Sequence, residues 1–250
     1  MTGAVAALAL AAAIAAGSAR AIPADEVRVA VAANFLPVLE ALEPRFTAAT
    51  GHRIAASSGS TGTLFAQIEQ GAPFEVFLAA DSERPRLLAE RGRAVPGSRF
   101  TYARGRLVLW RGDAGPEPPG PELLRARRFH HLAVANPATA PYGAAALAVL
   151  ERLGLAEDLR SSLVVGESVA QAFHFVAAGG AELGFVALSQ VRAHRVPTGS
   201  WWLVPETWHP PIEQQAVLLA AGNPAARRFL TFLASPEAAA TIRRFGYEVP

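Results

Sequence analysis

Four short segments place small hydrogen-bonding residues directly ahead of helical periodicity: Ala33-Asn34, Gly59-Ser60-Thr61-Gly62, Pro141-Tyr142-Gly143 and Glu167-Ser168-Val169. Each also follows an apolar run that reads as a strand, so each stands beyond a strand's carboxyl end, where open α/β sheets bind ligands. The start of a helix presents N–H groups without intrahelical partners at the positive end of its dipole, which suits an anion. The side chains on offer are mostly neutral (Asn34, Ser60, Thr61, Tyr142, Ser168), none of the four segments holds an Arg, and Glu167 is the only acid among them. Singly, a Ser, Thr or Asn before a helix is ordinarily a cap. Four of them at the same ends of their sheets point instead to a site of donors for an acceptor-only anion. A protonated anion such as hydrogen phosphate would need an acceptor facing its O–H, so phosphate is disfavoured.

Other chemistries find less support. The chain has no Cys, and all 23 of its cationic side chains are Arg, with no Lys. Disulfides, thiolate metal sites, Cys nucleophiles, Lys Schiff bases and Walker-type phosphate loops are therefore excluded. Gly59-Ser60-Thr61-Gly62 has the wrong spacing for a nucleophile elbow, and Gly166-Glu167-Ser168-Val169-Ala170 lacks its last Gly. His130-His131 is the one close His pair, and neighbours on a strand point to opposite faces. His52, His174, His194 and His209 show no ligand spacing, so no metal site is expected. Nucleic-acid binding would want clustered cations interleaved with aromatics. The densest cluster, Arg125, Arg127 and Arg128, reads as the solvated face of a short helix, and net charge is only +2.

The elements that must position these loops alternate. Val27–Ala33, His52–Ser57 and Val76–Ala80 read as strands, separated by helices that turn Leu39, Leu42 and Phe46, then Leu64, Phe65 and Ile68, inward. Gly51 and Gly71 end those helices. Asp81 follows the third strand and is better placed to cap the next helix than to tether a hinge. Tyr102–Trp110 is a long strand-like stretch, followed by a loop rich in Gly and Pro. The alternation then restarts: Leu132–Ala135, a helix over Ala144–Leu153, Leu163–Val165, a helix from Ser168 through Ala178, and Leu183–Leu188. Trp201–Val204 and Gln215–Ala221 are further strands, and helices over Ala225–Leu233 and Glu237–Phe245 follow. Trp201, Trp202 and Trp208 read as core packing. Two such βαβ series imply an α/β fold of two lobes, each a mainly parallel sheet flanked by helices with the ligand in the cleft between them. Lobe I is expected over 22–104 plus 215–250 and lobe II over 105–214, with crossings near Arg104 and Gln214. A single sheet of nine or ten strands, near the upper limit for an open twisted sheet, is the competing arrangement.

The first residues are a different material. Met1–Ala21 carries no acid, and Val5–Ala16 is unbroken apolar sequence. That run is too short for a membrane-spanning helix, which needs about 20 apolar residues, but fits the core of a secretory signal peptide, with Ala19-Arg20-Ala21 as its cleavage site. Residues 1–21 are thus expected to be a cleaved leader, and the absence of Cys removes a lipoprotein anchor. The periplasm is the expected compartment.

Val31-Ala32-Ala33-Asn34-Phe35, Ser57-Ser58-Gly59-Ser60-Thr61-Gly62 and Gln67-Ile68-Glu69-Gln70-Gly71-Ala72-Pro73 resemble the periplasmic molybdate-binding proteins of ABC importers. Val76-Phe77-Leu78-Ala79-Ala80-Asp81, Asn136-Pro137 with Pro141-Tyr142-Gly143, and Gly184-Phe185-Val186-Ala187 extend the likeness over the whole chain after the leader. The resemblance implies a two-lobed type II periplasmic binding protein that is not an enzyme and uses no cofactor. It would hold molybdate or tungstate without a counter-charge, act as a monomer and deliver the anion to a membrane permease. Matched residue by residue, it implies ligand contacts from Ala33, Asn34, Thr61 and the adjacent Ser60 in the first lobe, and from Tyr142 and Val169, mainly through main-chain N–H, in the second. Some relatives add a Tyr hydroxyl from the second lobe's late strand, where this chain has Ala187. The alternatives carried forward are a binding protein for sulfate or another oxyanion, and a hydrolase on a similar α/β scaffold.

Overall fold

The computed structural model describes residues 26–113, 115, 118–219 and 222–250. The expected leader over 1–21 lies outside them. In chain order the first part runs β1 (Glu26–Ala32), α1 (Leu36–Thr50), β2 (Arg53–Gly59), α2 (Thr61–Glu69), β3 (Val76–Ala79), α3 (Glu83–Glu90) and β4 (Phe100–Gly105). The middle part runs β5 (Leu107–Arg111), α4 (Pro121–Ala126), β6 (Leu132–Ala135), α5 (Pro141–Arg152), β7 (Leu163–Gly166), α6 (Val169–Ala177), β8 (Leu183–Ala187), α7 (Leu188–Ala193) and β9 (Trp201–Leu203). The chain then returns through β10 (Ile212–Leu218) to α8 (Pro224–Leu233) and α9 (Pro236–Arg244).

Two five-stranded sheets result, ordered β2-β1-β3-β10-β4 and β7-β6-β8-β5-β9. Each is mixed. Three strands at one edge are parallel, as the βαβ alternation requires, and the two at the other edge run antiparallel to their neighbours. The parallel edge brings the loops after β1 and β2, and those after β6 and β7, to the same end of their sheets, where ligands bind in open α/β folds.

The strand β3 is buried at every position, as is β6, because helices cover both faces. In the first lobe α1, α8 and α9 cover one face around Phe35, Phe46 and Phe229, while α2 and α3 cover the other around Leu64, Phe77 and Leu88. In the second lobe α4 and α5 pack on one face and α6 with α7 on the other. Trp202 and Trp208 meet edge to face at 5.4 Å and pack against the second lobe's core, with the Arg152 guanidinium 5.5 Å from the Trp208 ring centre.

The expected continuous stretch Tyr102–Trp110 is two strands in different sheets, with Arg106 alone between them. The return passage lies between Leu203 and Ile212. Arg104 and Gln214, expected near the crossings, therefore sit inside β4 and β10, and Gly105 and Ile212–Gln214 pair within the first sheet. An apolar run does not disclose that its two halves join different sheets. The helix α7 was not expected either, since Leu188 continues an apolar run and the helix has only six residues.

The segment after α9 runs beside the crossings while staying on the first lobe. The main chain of Glu248 exchanges hydrogen bonds of 2.7 and 3.1 Å with Arg104, extending the edge of β4. The Arg106 side chain reaches Glu206 at 2.8 Å and Glu248 at 3.0 Å, so one guanidinium joins both crossings and the segment after α9.

Candidate functional site

Where the two lobes face each other they form a small cavity with room for about one water molecule, lined by Ala32, Ala33, Asn34, Gly59, Ser60, Thr61, Ala80, Ala140, Pro141, Tyr142 and Val169. All six residues that the resemblance implies as contacts, Ala33, Asn34, Ser60, Thr61, Tyr142 and Val169, are in this lining, whereas Ser168 caps α6. None of the lining residues is ionisable except Tyr142.

The donors are made by helix starts. Thr61 opens α2 and Val169 opens α6, while Tyr142 is the second residue of α5 behind Pro141. N–H groups at these positions have no intrahelical acceptor. Among the described residues the N–H groups of Asn34, Thr61, Tyr142 and Val169 enter no main-chain hydrogen bond. Ala33 differs: its N–H continues the strand ladder to the Gly59 carbonyl at 2.9 Å, so it forms wall rather than donor.

Two hydroxyls add to the first lobe's share. The Thr61 Oγ1 accepts the Ala80 N–H at 3.0 Å, which leaves its own proton free to donate. The Ser60 Oγ accepts the Thr63 N–H at 3.3 Å as the helix cap and lies 2.7 Å from the Thr63 Oγ1. With Thr63 donating to it, Ser60 can also turn its proton to the cavity. Ser60 is thus the cap of α2, Thr61 braces the end of β3, and each hydroxyl keeps a proton to donate.

Two polar side chains of the lining, those of Asn34 and Tyr142, point away from the cavity. The Asn34 amide nitrogen donates to Gln214 Oε1 and to the Tyr247 hydroxyl, both at 2.8 Å. Asn34 is 1% exposed, since the turn after β1 presses its carboxamide against β10. The Tyr142 hydroxyl lies over Gly105, where any side chain would collide with it, and faces the Tyr247 hydroxyl without closing a hydrogen bond. What these two residues present to the cavity is main-chain N–H. Burial pushes the hydroxyls of Tyr102 and Tyr142 well above the ordinary tyrosine range, and that of Tyr247 up to about 12.

The lobes meet at the cavity mouth. The Gly62 N–H donates to the Thr139 carbonyl at 2.8 Å, and Arg84 Nη2 to the Ala138 carbonyl at 3.3 Å. A side chain at Gly62 would come within 2.9 Å of the Thr139 Cα. Asp81 caps α3 by accepting the Arg84 N–H at 2.9 Å, and its other oxygen pairs with the Arg84 guanidinium. The cation nearest the mouth is therefore neutralised by its own neighbour.

Sequence reasoning missed Ala80, Ala140 and the support behind the second lobe's loops. Gln190, 3% exposed on α7, accepts the Ala187 N–H at 3.0 Å and donates to the Val169 carbonyl at 3.1 Å, fixing the start of α6. Ala187 is thus a buried strand end. Its neighbour Ser189 donates to the Asn34 carbonyl at 2.8 Å across the lobes. A polar pair inside an apolar run, Ser189-Gln190, was the available signal. The His130-His131 pair lies away from the cavity, and both main-chain N–H groups donate to the Glu182 carboxylate, at 3.1 and 2.8 Å.

Residues 27–248 match the model of the bacterial extracellular solute-binding protein family. The molybdate-binding protein ModA of Azotobacter vinelandii is 50% identical over 227 residues, covering 90% of each chain. That of Rhodobacter capsulatus is 47% identical over 226 residues, covering 90% of this chain and 88% of its own. The solved structure of the Azotobacter vinelandii periplasmic molybdate-binding protein superimposes with a TM-score of 0.85 at 43% identity, covering 90% of this chain and 99% of that one.

Proposed function

The chain belongs to the bacterial extracellular solute-binding proteins, and from that premise we propose that it is a molybdate-binding protein that captures its anion in the cavity between the lobes. The observation that carries this reading is the cavity's composition: helix-start N–H groups from both lobes and two hydroxyls, with no free cation and no acceptor side chain turned inward. The two relatives at 50% and 47% identity, both named for molybdate, supply the ligand.

A tetrahedral dianion loses its hydration on entering, and fixed donors must replace it. Each hydrogen bond to a charged group contributes about 1.5–3 kcal/mol, so four N–H groups and two hydroxyls are a sufficient set. Each lobe holds part of them, and only the closed form brings all to the anion. Molybdate and sulfate carry the same charge and accept only, so discrimination falls to the size of the cavity. Tungstate, matching molybdate in shape and charge, is bound by the same donors. The protein passes the anion to a membrane permease, acts as a monomer and works in the periplasm after its leader is removed. We infer no chemistry on the ligand, because no His, Asp or Glu lines the cavity to activate the Ser60 or Thr61 hydroxyl.

The test is thermal denaturation with molybdate, tungstate, sulfate and phosphate added separately. Ligand at about 100 times its dissociation constant stabilises by about 2.7 kcal/mol, which in a chain of this size raises Tm by roughly 5–10 °C. The expected result is a shift with molybdate and with tungstate. A shift with sulfate alone would reassign the ligand, and no shift with any of the four would end the oxyanion reading.

A further inference from the structure

Resting on the reading of the cavity as an oxyanion site, we propose that Tyr247 is a positioning residue of that site, acting through Asn34. The chain contains three tyrosines, and all three are buried in one patch behind the cavity. Tyr247 is brought there by the segment after α9, which pairs with β4 at Arg104.

Its hydroxyl touches Asn34 twice. It accepts from the Asn34 Nδ2 at 2.8 Å and reaches the Asn34 carbonyl oxygen at 2.9 Å. It also lies 3.1 Å from the Ser189 Oγ, which itself donates to the same carbonyl at 2.8 Å. The second Asn34 amide proton goes to Gln214 Oε1. Asn34 is therefore fixed at its side chain and at its carbonyl by residues distant in sequence, while its N–H is left without a main-chain partner at the cavity wall. The direction of that N–H depends on the backbone orientation these contacts impose. The same hydroxyl joins the lobes, because Ser189 stands on the second and Asn34 on the first.

Two features separate this role from simple packing. The Tyr247 ring meets Phe35 edge to face at 5.5 Å, a contact that Phe would keep. Removing only the hydroxyl leaves one Asn34 amide proton buried against a ring edge and takes a donor from the Asn34 carbonyl, loosening the backbone turn whose N–H faces the anion.

The experiment measures the dissociation constant for molybdate by calorimetry, together with the Tm of the ligand-free protein, for the wild type, Tyr247→Phe, Ser189→Ala and the double variant. Tyr247→Phe is expected to weaken binding about tenfold, the scale of one to two neutral hydrogen bonds. Ser189→Ala is expected to weaken it by a smaller factor, and the double variant by less than the product, because both hydroxyls act on one carbonyl. A purely structural hydroxyl would lower the ligand-free Tm and leave the dissociation constant where it was. Unchanged affinity in Tyr247→Phe, or in Ser189→Ala should the first variant fail to fold, overturns the proposal. A wild type that does not bind molybdate would instead overturn the ligand assignment beneath it.

Discussion

The two lobes meet the cavity with different materials. The first contributes the Ser60 and Thr61 hydroxyls together with N–H groups, so part of its grip is carried by side chains. The second contributes the N–H groups at the starts of α5 and α6, with Ala140 and Pro141 as wall, so its grip is carried by backbone. A donor on a side chain can be removed by substitution. A donor on a helix start can be altered only by moving the helix, and Gln190 and the Tyr142 ring are there to prevent that. One half of the proposed site is therefore open to mutation and the other is protected by its own architecture.

The sharpest attack on that contrast is Thr61→Ala. It deletes an inward-facing hydroxyl and orphans the Ala80 N–H, and a hydrogen bond of about 1.5–3 kcal/mol to a charged group converts to roughly ten- to hundredfold in affinity. Isothermal titration with molybdate is the check, and Thr61→Ser should restore most of the loss. Next comes Gly62→Ala, expected to weaken binding about tenfold by holding the mouth apart at Thr139. Gly62 lies within α2, where Ala is the better helix former, so the ligand-free Tm should stay level or rise. A matching fall in both quantities would mean that the substitution damages the fold rather than closure.

In the second lobe the expectation reverses. Val169→Ala should change affinity by less than about threefold, since the N–H survives, yet lower ligand-free stability by roughly 2 kcal/mol because the side chain is buried. Urea titration beside calorimetry separates the two, and a large loss of affinity would contradict the backbone assignment. The smallest effect is one of pH. Tyr247 binds its proton up to about 12 in the folded chain, against a reference of 10.0. The folded state therefore retains a proton that the unfolded state releases, and stability falls as pH rises from about 10 toward 12. Below that window the hydroxyl donors are unchanged, so affinity should be flat from neutral pH to about 9. A tyrosinate absorbance appearing near pH 10 in the native protein would contradict the burial of the cluster.

How much of this was legible in the sequence depends on distance along the chain. Ser60 and Thr61 could be found because a helix cap is a local pattern, read from a handful of residues between a strand and an apolar periodicity. Val169 and Tyr142 fall in segments of the same kind, but their role as contacts is what the family resemblance implies. Their shared cavity follows from the parallel edge of each sheet, which the βαβ alternation dictates. The position of Asn34 was equally visible, but not the work of its side chain, because its partners Gln214 and Tyr247 lie 180 and 213 residues away. The hinge was blurred for a related reason. Tyr102–Trp110 satisfies strand periodicity throughout, and only tertiary pairing separates β4 from β5 at Arg106.

The cavity mouth has a consequence for time rather than affinity. With Gly62 bonded to Thr139 and Arg84 to Ala138 across it, an anion held there as proposed leaves through a mouth that these two contacts keep narrow. Its residence is then set by how often the lobes part, whatever the strength of the individual donors. A weakened donor shortens the stay only by making the closed form rarer. A receptor that pries the lobes apart sets the rate of delivery by itself, without ever touching the ligand.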